Sequence, residues 1–528
     1  MILPFLLFTA IAVAIYYIYT YGTKNENYFL ERGIPFRKPM FIFGNSFKLV
    51  IRKLSAFEYV RDMSKYFPGE KLVGVFDFRD PVVFMLDPEI VKHLCVKEFD
   101  SFTDHRKIIS EDSDHLFANS LFALQGQKWK DMRATLSPAF TGSKMRQMCD
   151  LIVEICEQMV AFLKEEVEEK GPQIYEAKEV YSRFATDVIG TCAFGIKVDS
   201  LKDKENDFYK TAQKMFNFSN ILVLIKFVLF RLVPMVMKFF NIQLFDEKCR
   251  SFLKNSVLDT MKVREEKKII RPDMIHLLME AQKGNLTHTT IENDTAGFAT
   301  VEESHIGRSK AKRTWSEDEI VAQCFLFFLA GYDTISNMLS FTTYEIMVNP
   351  DIQERLFEEI SETNSNLDGK SLKYDTLQNL KYLDMVISES LRKWSAPAVD
   401  RVCNRTFTLK YDNKEYTFHK GDVFWIPIVG FHHNPEYFPN PEKFDPERFN
   451  DENKSSINPA AYIPFGVGPR NCIGSRFALM VLKSILYYLI LNFHIDVTEK
   501  TQIPVKLAKS LFGLQSERGI HVSFRPRR

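Results

Sequence analysis

The chain has 528 residues, a formal net charge of +1 and eight cysteines. This length allows one large domain or two ordinary ones, and the near-zero net charge argues against a charge-driven nucleic-acid partner. The cysteines show no Cys-x-x-Cys spacing, which argues against a disulfide framework or a zinc site and favours a reducing compartment. The 47 phenylalanines indicate a large apolar interior or pocket.

The N-terminal segment Ile2 to Tyr21 is apolar, carries no charge and is long enough to cross a bilayer. Tyrosines at its far end suit the membrane interface, and the basic residues from Lys24 onward favour the cytosolic side. The alternative is a cleaved signal peptide, but no clear small-x-small cleavage site follows the apolar stretch. We therefore predict a membrane anchor at residues 1–22, a proline- and glycine-marked stalk at residues 23–45 and a single cytosolic domain at residues 46–528.

Local patterns in the body predict a short hairpin followed mostly by helices. Residues 72–76 and 82–86 are apolar runs separated by a turn, which is typical of two paired strands. Asp87-Pro88 begins a short helix, whereas residues 100–126 have little periodicity and favour an irregular loop. A helix then begins near Gly126, and helical patterns continue from about residue 145 to residue 283.

The segment Ile221 to Phe240 is strongly apolar but is interrupted by basic residues and by Pro234. A core helix and a helix lying on the membrane surface are the main alternatives, and the interruptions argue against a second membrane span. On a helix, Leu224 and Val228 would share one apolar face, which we expect to meet lipid.

A long central helix is predicted after a polar stretch. Residues 284–315 lack periodicity and predict an exposed loop. Ser316-Glu-Asp-Glu319 is a capping box, and the helix that it begins can run to Asn349-Pro350, roughly 50 Å at about 1.5 Å per residue. Its apolar composition predicts that it lies buried in the middle of the domain.

A glycine and an acid–alcohol pair interrupt this helix at Ala330-Gly-Tyr-Asp-Thr334. Gly331 costs about 1 kcal/mol relative to alanine in a helix interior, and a buried Asp333 needs a partner. A sequence that accepts both of these free-energy costs within a helix indicates a functional site at this position. The alternative is that Thr334 simply bonds to its own helix.

Cys472 lies among glycines in Gly466-Val-Gly-Pro-Arg-Asn-Cys-Ile-Gly474, just before a helical pattern. The glycines allow a tight turn and leave room for a flat ligand. The start of a helix favours a thiolate, which is the metal-ligating form of cysteine. The alternative is a buried free cysteine at a loop–helix junction.

Phe465, Gly468, Arg470, Cys472 and Gly474 fit Phe-x-x-Gly-x-Arg-x-Cys-x-Gly, so the chain resembles the cytochrome P-450 family at its haem-binding signature. The resemblance implies a mainly α fold with small β-sheets (α+β), in which a long central helix lies over haem and one transmembrane helix comes first. It implies haem b as cofactor, with Cys472 as the axial thiolate of the iron. Thiolate donation favours O–O cleavage.

The same resemblance implies further contacts with the cofactor and with dioxygen. Thr334 would hydrogen-bond dioxygen, and Asp333 would help to deliver protons. Either His105 or Arg106 would contact haem. The other cofactor contacts would come from Arg470 at one propionate, from Trp129 and Arg133 at the other, from Arg401 on a strand, and from Phe465, Gly474 and Ala330.

Two further groups of residues follow from the resemblance. One is a structural ion cluster on the thiolate side of the haem, formed by Glu389, Arg392 and Arg448. The other is a substrate pocket lined by Phe117, Phe122, Phe327, Ala398, Val399 and Phe512.

A finer resemblance is to insect microsomal enzymes of family nine, through Gln323-Cys-Phe-Leu-Phe-Phe-Leu-Ala330 and Ile457-Asn-Pro. It implies a monooxygenase of the endoplasmic reticulum membrane, single-pass with a cytosolic catalytic domain, that inserts one oxygen atom of O2 into lipophilic xenobiotics. NADPH–cytochrome reductase would supply the electrons, with cytochrome b5 as a second donor. The alternatives are a haem-thiolate isomerase or peroxygenase, a non-catalytic haem protein, and oxidation of an endogenous steroid, terpenoid or fatty acid.

Overall fold

The computed structural model describes residues 2–107, 114–216, 221–240, 242–283, 297–309, 313, 315–511 and 513–527. The predicted pocket residue Phe512 and much of the predicted loop at 284–315 lie outside these ranges.

The described residues form twenty α-helices, which dominate the architecture. The first ten are α1 (Ile2–Thr23), α2 (Tyr28–Glu31), α3 (Phe47–Val50), α4 (Ala56–Lys65), α5 (Pro88–Lys92), α6 (His115–Ala118), α7 (Gly126–Leu136), α8 (Gly142–Lys170), α9 (Ala177–Ala193) and α10 (Asp207–Met215). The others are α11 (Ile221–Leu232), α12 (Pro234–Phe239), α13 (Glu247–Lys267), α14 (Met274–Gln282), α15 (Glu317–Val348), α16 (Pro350–Asn366), α17 (Tyr374–Gln378), α18 (Lys381–Lys393), α19 (Ile428–His432) and α20 (Ser475–Asn492).

Nine strands in the described residues form three small sheets of four, three and two strands. The largest has the order β1-β2-β7-β4, and it contains the predicted hairpin, in which Val73 lies opposite Phe84. The prediction of a mainly α fold with small β-sheets is therefore confirmed. The strands are β1 (Leu72–Asp77), β2 (Asp80–Met85), β3 (Tyr175–Glu176), β4 (Val399–Val402), β5 (Phe407–Tyr411), β6 (Lys414–Phe418), β7 (Val423–Ile426), β8 (Phe493–Val497) and β9 (His521–Pro526).

Helix α15 runs through the core as predicted. Ser316 accepts a hydrogen bond from the Glu319 N–H, and the Glu319 carboxylate bonds back to the Ser316 N–H, so the capping box is formed. The helix packs against α6, α9, α13, α18 and α20, which buries most of its side chains. Ala330 and Thr334 are exposed on a helix whose side chains are mostly buried, and their spacing of four residues places them on one face.

Residues 297–309, which we call the strap, form a loop without helix or strand as predicted, but the expectation that this loop is exposed is wrong for part of it. Ala299 and Ile306 of the strap are buried, as is Trp315 just after it. The indole N–H of Trp315 donates to the Thr135 hydroxyl on α7 at 2.9 Å. A few apolar side chains in a polar, aperiodic stretch are enough to hold it against the body.

Three described helices are long and apolar enough to cross a membrane, but only the N-terminal one is exposed. The most apolar window of Leu3–Glu31 has no buried residue, whereas α15 and α20 lie largely inside the protein. After α1 the chain soon joins the body, because Phe29 and Ile34 are buried in the cluster that contains β1 and β2.

The segment Ile221–Phe240 forms α11 and α12 with a break before Pro234. The expectation that this face meets lipid is wrong for Leu224, which is buried, whereas Val228 is only half-buried. The outward side instead carries Ile225 on α11 and Met235 and Phe239 on α12. Periodicity identified an apolar face, and only packing decided which side of the helix points outward.

We expect Ser316→Ala to lower the free energy of unfolding by about 1 kcal/mol, because the backbone N–H of Glu319 loses its acceptor at the start of α15. Urea unfolding of the purified protein measures this loss. The control is Ser365→Ala, which removes an exposed hydroxyl near the end of α16 and should change the value by less than about 0.5 kcal/mol. Equal stabilities of the two variants would contradict the role of the cap.

Candidate active site

The loop before α20 is held in a tight turn that presents Cys472. The Cys472 N–H donates to the Phe465 carbonyl at 2.8 Å, and the Asn471 N–H donates to the Gly468 carbonyl at 2.9 Å. Gly468 has φ +72°, and a Cβ at this position would overlap the Cys95 carbonyl, so only glycine fits. Helix α20 begins at Ser475 with Gly474 as its N-cap, slightly later than the sequence pattern indicated.

Cys472 differs from the other seven cysteines because its side chain is exposed whereas theirs are buried. It borders a cavity of about 1610 Å³ whose walls also include Phe140, Ile473 and Arg476. The surrounding protein raises the pKa of the Cys472 thiol, while the Gly474 N–H and the charge of Arg133 lower it. A Cβ on Gly474 would meet only the edge of Phe140, so the loop leaves space beside the sulfur.

Three arginines are buried close together near this loop. Arg133, Arg401 and Arg470 are 2%, 1% and 8% exposed. Burial and the charges of Arg401 and Arg133 lower the pKa of Arg470 to about 9, against the opposing effect of Asp104 and Asp400. Buried like charges are stable only with anionic partners, so the cluster suits a ligand with carboxylates.

Arg470 is used mainly to hold the chain between residues 103 and 124. Its Nε donates to the Thr103 carbonyl at 2.8 Å, and one terminal nitrogen donates to the Leu124 carbonyl at 2.5 Å. The guanidinium lies 4.2 Å from the centre of the Trp129 ring. The family resemblance predicted that Arg470 contacts one haem propionate and that Trp129 contacts the other. It did not indicate that the two side chains stack on each other.

Arg401 and Arg133 approach the loop from different sides. Arg401 lies on β4 and donates to the Val467 carbonyl at 3.2 Å, while its buried Nε has no hydrogen-bond partner among the described residues. Arg133 on α7 donates to the carbonyl and side-chain oxygens of Asn471 at 2.8 and 2.9 Å. The unpaired Nε, the clustered guanidinium groups and the exposed thiol together fit haem, which carries two carboxylates and needs one axial ligand.

The side chains of His105 and Arg106 have different partners in the structure. The His105 Nδ1 lies 2.8 Å from Asp400 Oδ1, and its ring stacks on Phe122 with centroids 4.8 Å apart. Burial lowers the pKa of His105, against the opposing effect of Asp400. Arg106 instead pairs with Asp77 and Asp80 on the β1–β2 hairpin at 2.8 and 2.7 Å. His105 therefore lies with the arginine cluster and Arg106 does not.

The interrupted part of α15 supplies a hydroxyl and a paired carboxylate. Thr334 Oγ1 donates to the Ala330 carbonyl at 2.5 Å, so Thr334 does bond to its own helix, yet its side chain remains exposed. The Asp333 carboxylate receives hydrogen bonds from Lys178 Nζ at 2.7 Å and from Asn337 Nδ2 at 2.9 Å. Burial lowers the pKa of Lys178, against the opposing charge of Asp333.

The sequence did not indicate Lys178. This lysine lies in the first turn of α9, 155 residues before Asp333, and nothing in its local pattern distinguishes it from a solvent-exposed lysine. The only available signal was the expectation that a buried Asp333 needs a partner, which specified a cation but no position.

Glu389, Arg392 and Arg448 are brought together as the sequence indicated. Arg392 Nε lies 2.6 Å from Glu389, and Arg448 Nε lies 3.4 Å from it. Arg392 also donates to the His432 carbonyl at 2.8 Å. His432 Nε2 accepts the N–H of Ile463 at 3.1 Å, which links this cluster to the chain just before the Cys472 loop.

The predicted pocket residues come from three parts of the chain. Phe117 and Phe122 are in ring contact at 6.0 Å, and Phe327 on α15 contacts Phe140 at 5.7 Å. Val399 lies at the start of β4, and Ala398 immediately precedes it, with both side chains partly buried. Among the described residues no group of three or more His, Cys, Asp or Glu side chains could hold a metal ion alone.

A mainly helical fold with a buried central helix, a cysteine loop and a cluster of buried arginines defines the class of haem-thiolate proteins. The family model for cytochrome P450 matches residues 34–522. The chain therefore belongs to the cytochrome P450 family, whose members are haem-dependent monooxygenases.

The similar curated proteins are insect members of the family. The chain is 41% identical to "Probable cytochrome P450 9f2" of Drosophila melanogaster, over 98% of each chain. It is 42% identical to "Cytochrome P450 9e2" of Blattella germanica, over 98% of this chain and 97% of the relative. "Cytochrome P450 6k1" of Blattella germanica is 35% identical, over 97% of this chain. The resemblance to insect family nine is confirmed.

We expect Lys178→Met to lower product formed per NADPH consumed by roughly tenfold, because Asp333 loses its cation and is less able to relay protons. Peroxide release per NADPH should rise correspondingly. The control is Lys170→Met, which removes an exposed lysine near the end of α8. If Lys178→Met and Lys170→Met couple NADPH to product equally well, the Lys178–Asp333 pair has no part in proton delivery.

Proposed function

We propose that the protein is a membrane-anchored haem-thiolate monooxygenase that oxidises lipophilic compounds with electrons passed from NADPH through a reductase. Its proposed role is the clearance of xenobiotics. The observation that carries the proposal is the exposed Cys472 thiol, held on a rigid loop next to three buried arginines. Arg133 pairs with Glu303, and Arg470 lies 3.6 Å from Asp104. The buried Nε of Arg401 has no hydrogen-bond partner among the described residues, so a carboxylate of the cofactor would find a donor there.

In this proposal Cys472 would provide a thiolate ligand to the iron of haem b, and Arg133, Arg401 and Arg470 would hold its carboxylates. When bound, haem supplies the chemistry that activates O2 for transfer of one oxygen atom to the substrate. The Gly474 N–H bonds to the Cys472 sulfur and, with the charge of Arg133, stabilises the thiolate. His105 lies beside Asp400 and Arg401 and is kept neutral by burial, so it adds no further positive charge.

The part of α15 from Ala330 to Thr334 would bind dioxygen and deliver protons to it. Ala330 is small and exposed, so it leaves space along the helix. The exposed Thr334 hydroxyl would hydrogen-bond dioxygen in this space, whereas in the structure it donates its hydrogen bond to the Ala330 carbonyl. Lys178 remains partly exposed while bonded to Asp333, so the pair can exchange protons with water and replace those that are consumed.

The substrate pocket would be apolar and aromatic. Phe117, Phe122 and Phe327 supply ring surface, and Ala398 with Val399 supplies a second wall. Such a lining favours lipophilic molecules and contains few groups that would select one polar pattern. This supports a lipophilic substrate class, and a screen for substrate-induced shifts of the haem spectrum would identify its members.

The proposed electron donors are NADPH–cytochrome reductase and cytochrome b5. Basic residues lie on α7 and at the start of α8, where they would attract an acidic flavin domain. Several of them already have carboxylate partners: Lys130 lies 2.7 Å from Asp100 and Arg146 lies 3.0 Å from Asp375. These pairs weaken the positive field, so we propose that steering by this surface is modest and sensitive to salt.

We propose the endoplasmic reticulum membrane as the location, with residues 1–22 as anchor, residues 23–45 as connector and residues 46–528 as the cytosolic monooxygenase domain. The support is an apolar N-terminal helix with no buried residue in its most apolar window. A second lipid contact would come from α12, where Met235 and Phe239 are 86% and 83% exposed.

The proposal is tested by Cys472→Ser. We expect this change to abolish the strongly red-shifted Soret band of the reduced carbon monoxide complex, because thiolate donation to the iron is lost. The control is Cys249→Ser, a buried cysteine on α13 that should keep the band. Retention of the band in Cys472→Ser would overturn the assignment of the ligand.

Turnover assays of the unchanged protein distinguish a monooxygenase from a peroxygenase. Product formation with NADPH and added reductase supports the proposal, whereas turnover only with hydroperoxides contradicts it.

We expect α12 to keep the protein on membranes after removal of the anchor. A variant lacking residues 2–21 should remain partly bound to liposomes, and adding Met235→Asp and Phe239→Asp should release it, because charged groups do not enter the acyl region. Flotation of liposomes measures the bound fraction. The control pair Ile269→Asp and Ile270→Asp changes exposed residues just after α13 and should leave binding unaffected. Complete solubility of the anchorless protein would contradict the contact.

A further inference from the structure

The strap is fixed at its first residues to the helix that carries the Glu389–Arg392 pair. The Phe298 N–H donates to Asp384 Oδ2 on α18 at 2.9 Å. The Phe298 ring contacts Phe449 at 5.1 Å and Tyr462 at 5.4 Å. This end of the strap is therefore held by both a charged hydrogen bond and apolar packing.

The middle of the strap contacts the residue next to Cys472. The Glu303 carboxylate accepts two hydrogen bonds from Arg133, one from Nε at 3.3 Å and one from a terminal nitrogen at 2.7 Å. Ser137 donates to the same carboxylate at 2.9 Å. The Glu302 carbonyl accepts a hydrogen bond from Asn471 Nδ2 at 3.3 Å. The strap thus reaches both Arg133 and the backbone neighbour of the candidate ligand.

The charge balance at Arg133 makes Glu303 important. The Arg133 side chain is only 3% exposed, and among the described residues its hydrogen bonds go to Glu303 and Asn471. Asn471 is neutral, so Glu303 is the carboxylate that compensates this buried guanidinium in the structure. A buried charge that loses its partner is strongly unfavourable. Removing the Glu303 charge therefore alters both the attachment of the strap and the field that acts on Cys472.

We propose that Glu303 is a positioning residue that fastens the strap over the Cys472 side of the molecule and, through Arg133 and Asn471, sets the environment of the thiolate. The strap is then a structural part of the site rather than a linker between α14 and α15. The inferred effect on the thiolate rests on the proposed function of Cys472, whereas the inferred fastening of the strap does not.

The test compares Glu303→Gln with Glu302→Gln in the full-length, haem-loaded protein. Both changes remove one carboxylate from adjacent positions, but the Glu302 side chain is exposed and contributes to the contact with Asn471 only through its backbone carbonyl. Hydrogen exchange of peptides that cover residues 297–309 reports on the strap. The reduction potential of the haem iron reports on the field at the thiolate.

For Glu303→Gln we expect exchange in the strap to become about tenfold faster, because a buried ion pair is lost. We also expect a more positive reduction potential, because the charge of Arg133 is then less compensated and favours the reduced state. Glu302→Gln should behave as wild type in both measurements. The proposal is overturned if either readout is the same for the two variants.

A second variant covers the case in which Glu303→Gln does not fold. Ser137→Ala removes the hydroxyl that lies 2.9 Å from the Glu303 carboxylate and 2.8 Å from the Arg133 carbonyl, and it should give a smaller increase in strap exchange. No increase would overturn the fastening role. If the wild-type protein lacks the thiolate spectrum, the proposed function fails, and the exchange measurement still decides whether Glu303 fastens the strap.

Discussion

The compensation of buried guanidinium groups is the constraint on which the site depends. Arg392 is fully buried and is stabilised by Glu389, and it also fixes the chain at His432. Arg470 uses its hydrogen-bond donors on backbone carbonyls of the loop that follows β2 and α5. Each arginine thus joins segments that are distant in sequence, because a buried cation must gather acceptors from wherever the fold can supply them.

These contacts turn a flexible glycine-rich loop into a rigid support for one thiol. The chain before the loop is held through Ile463 by His432, and the loop itself is held at Asn471 by Arg133. On α15, Thr334 is exposed although most side chains of that helix are buried. Preorganisation of this kind lets a ligand atom be presented with little cost at the moment of binding, and it explains why so many buried charges lie around one cysteine.

The polar stretch between α14 and α15 has a larger role than its composition indicates. Its strap segment covers the side of the protein at which Cys472 meets the large cavity, and it carries the carboxylate next to Arg133. A loop segment that contributes a charge here can therefore tune the environment of Cys472 without changing the surrounding fold.

Local signals in the sequence determined the capping box of α15, the β1–β2 hairpin, the turn around Cys472 and the family, because each depends on residues within a few positions of one another. Tertiary structure alone decided that Lys178 meets Asp333, that Glu303 meets Arg133, and that His105 rather than Arg106 joins the arginine cluster. The two residues of the first pair are 155 positions apart in the sequence and those of the second pair 170. No periodic pattern in the sequence encodes a contact over such a separation. Tertiary structure also decided that Leu224 faces inward, since an apolar helix face does not specify whether protein or lipid will cover it.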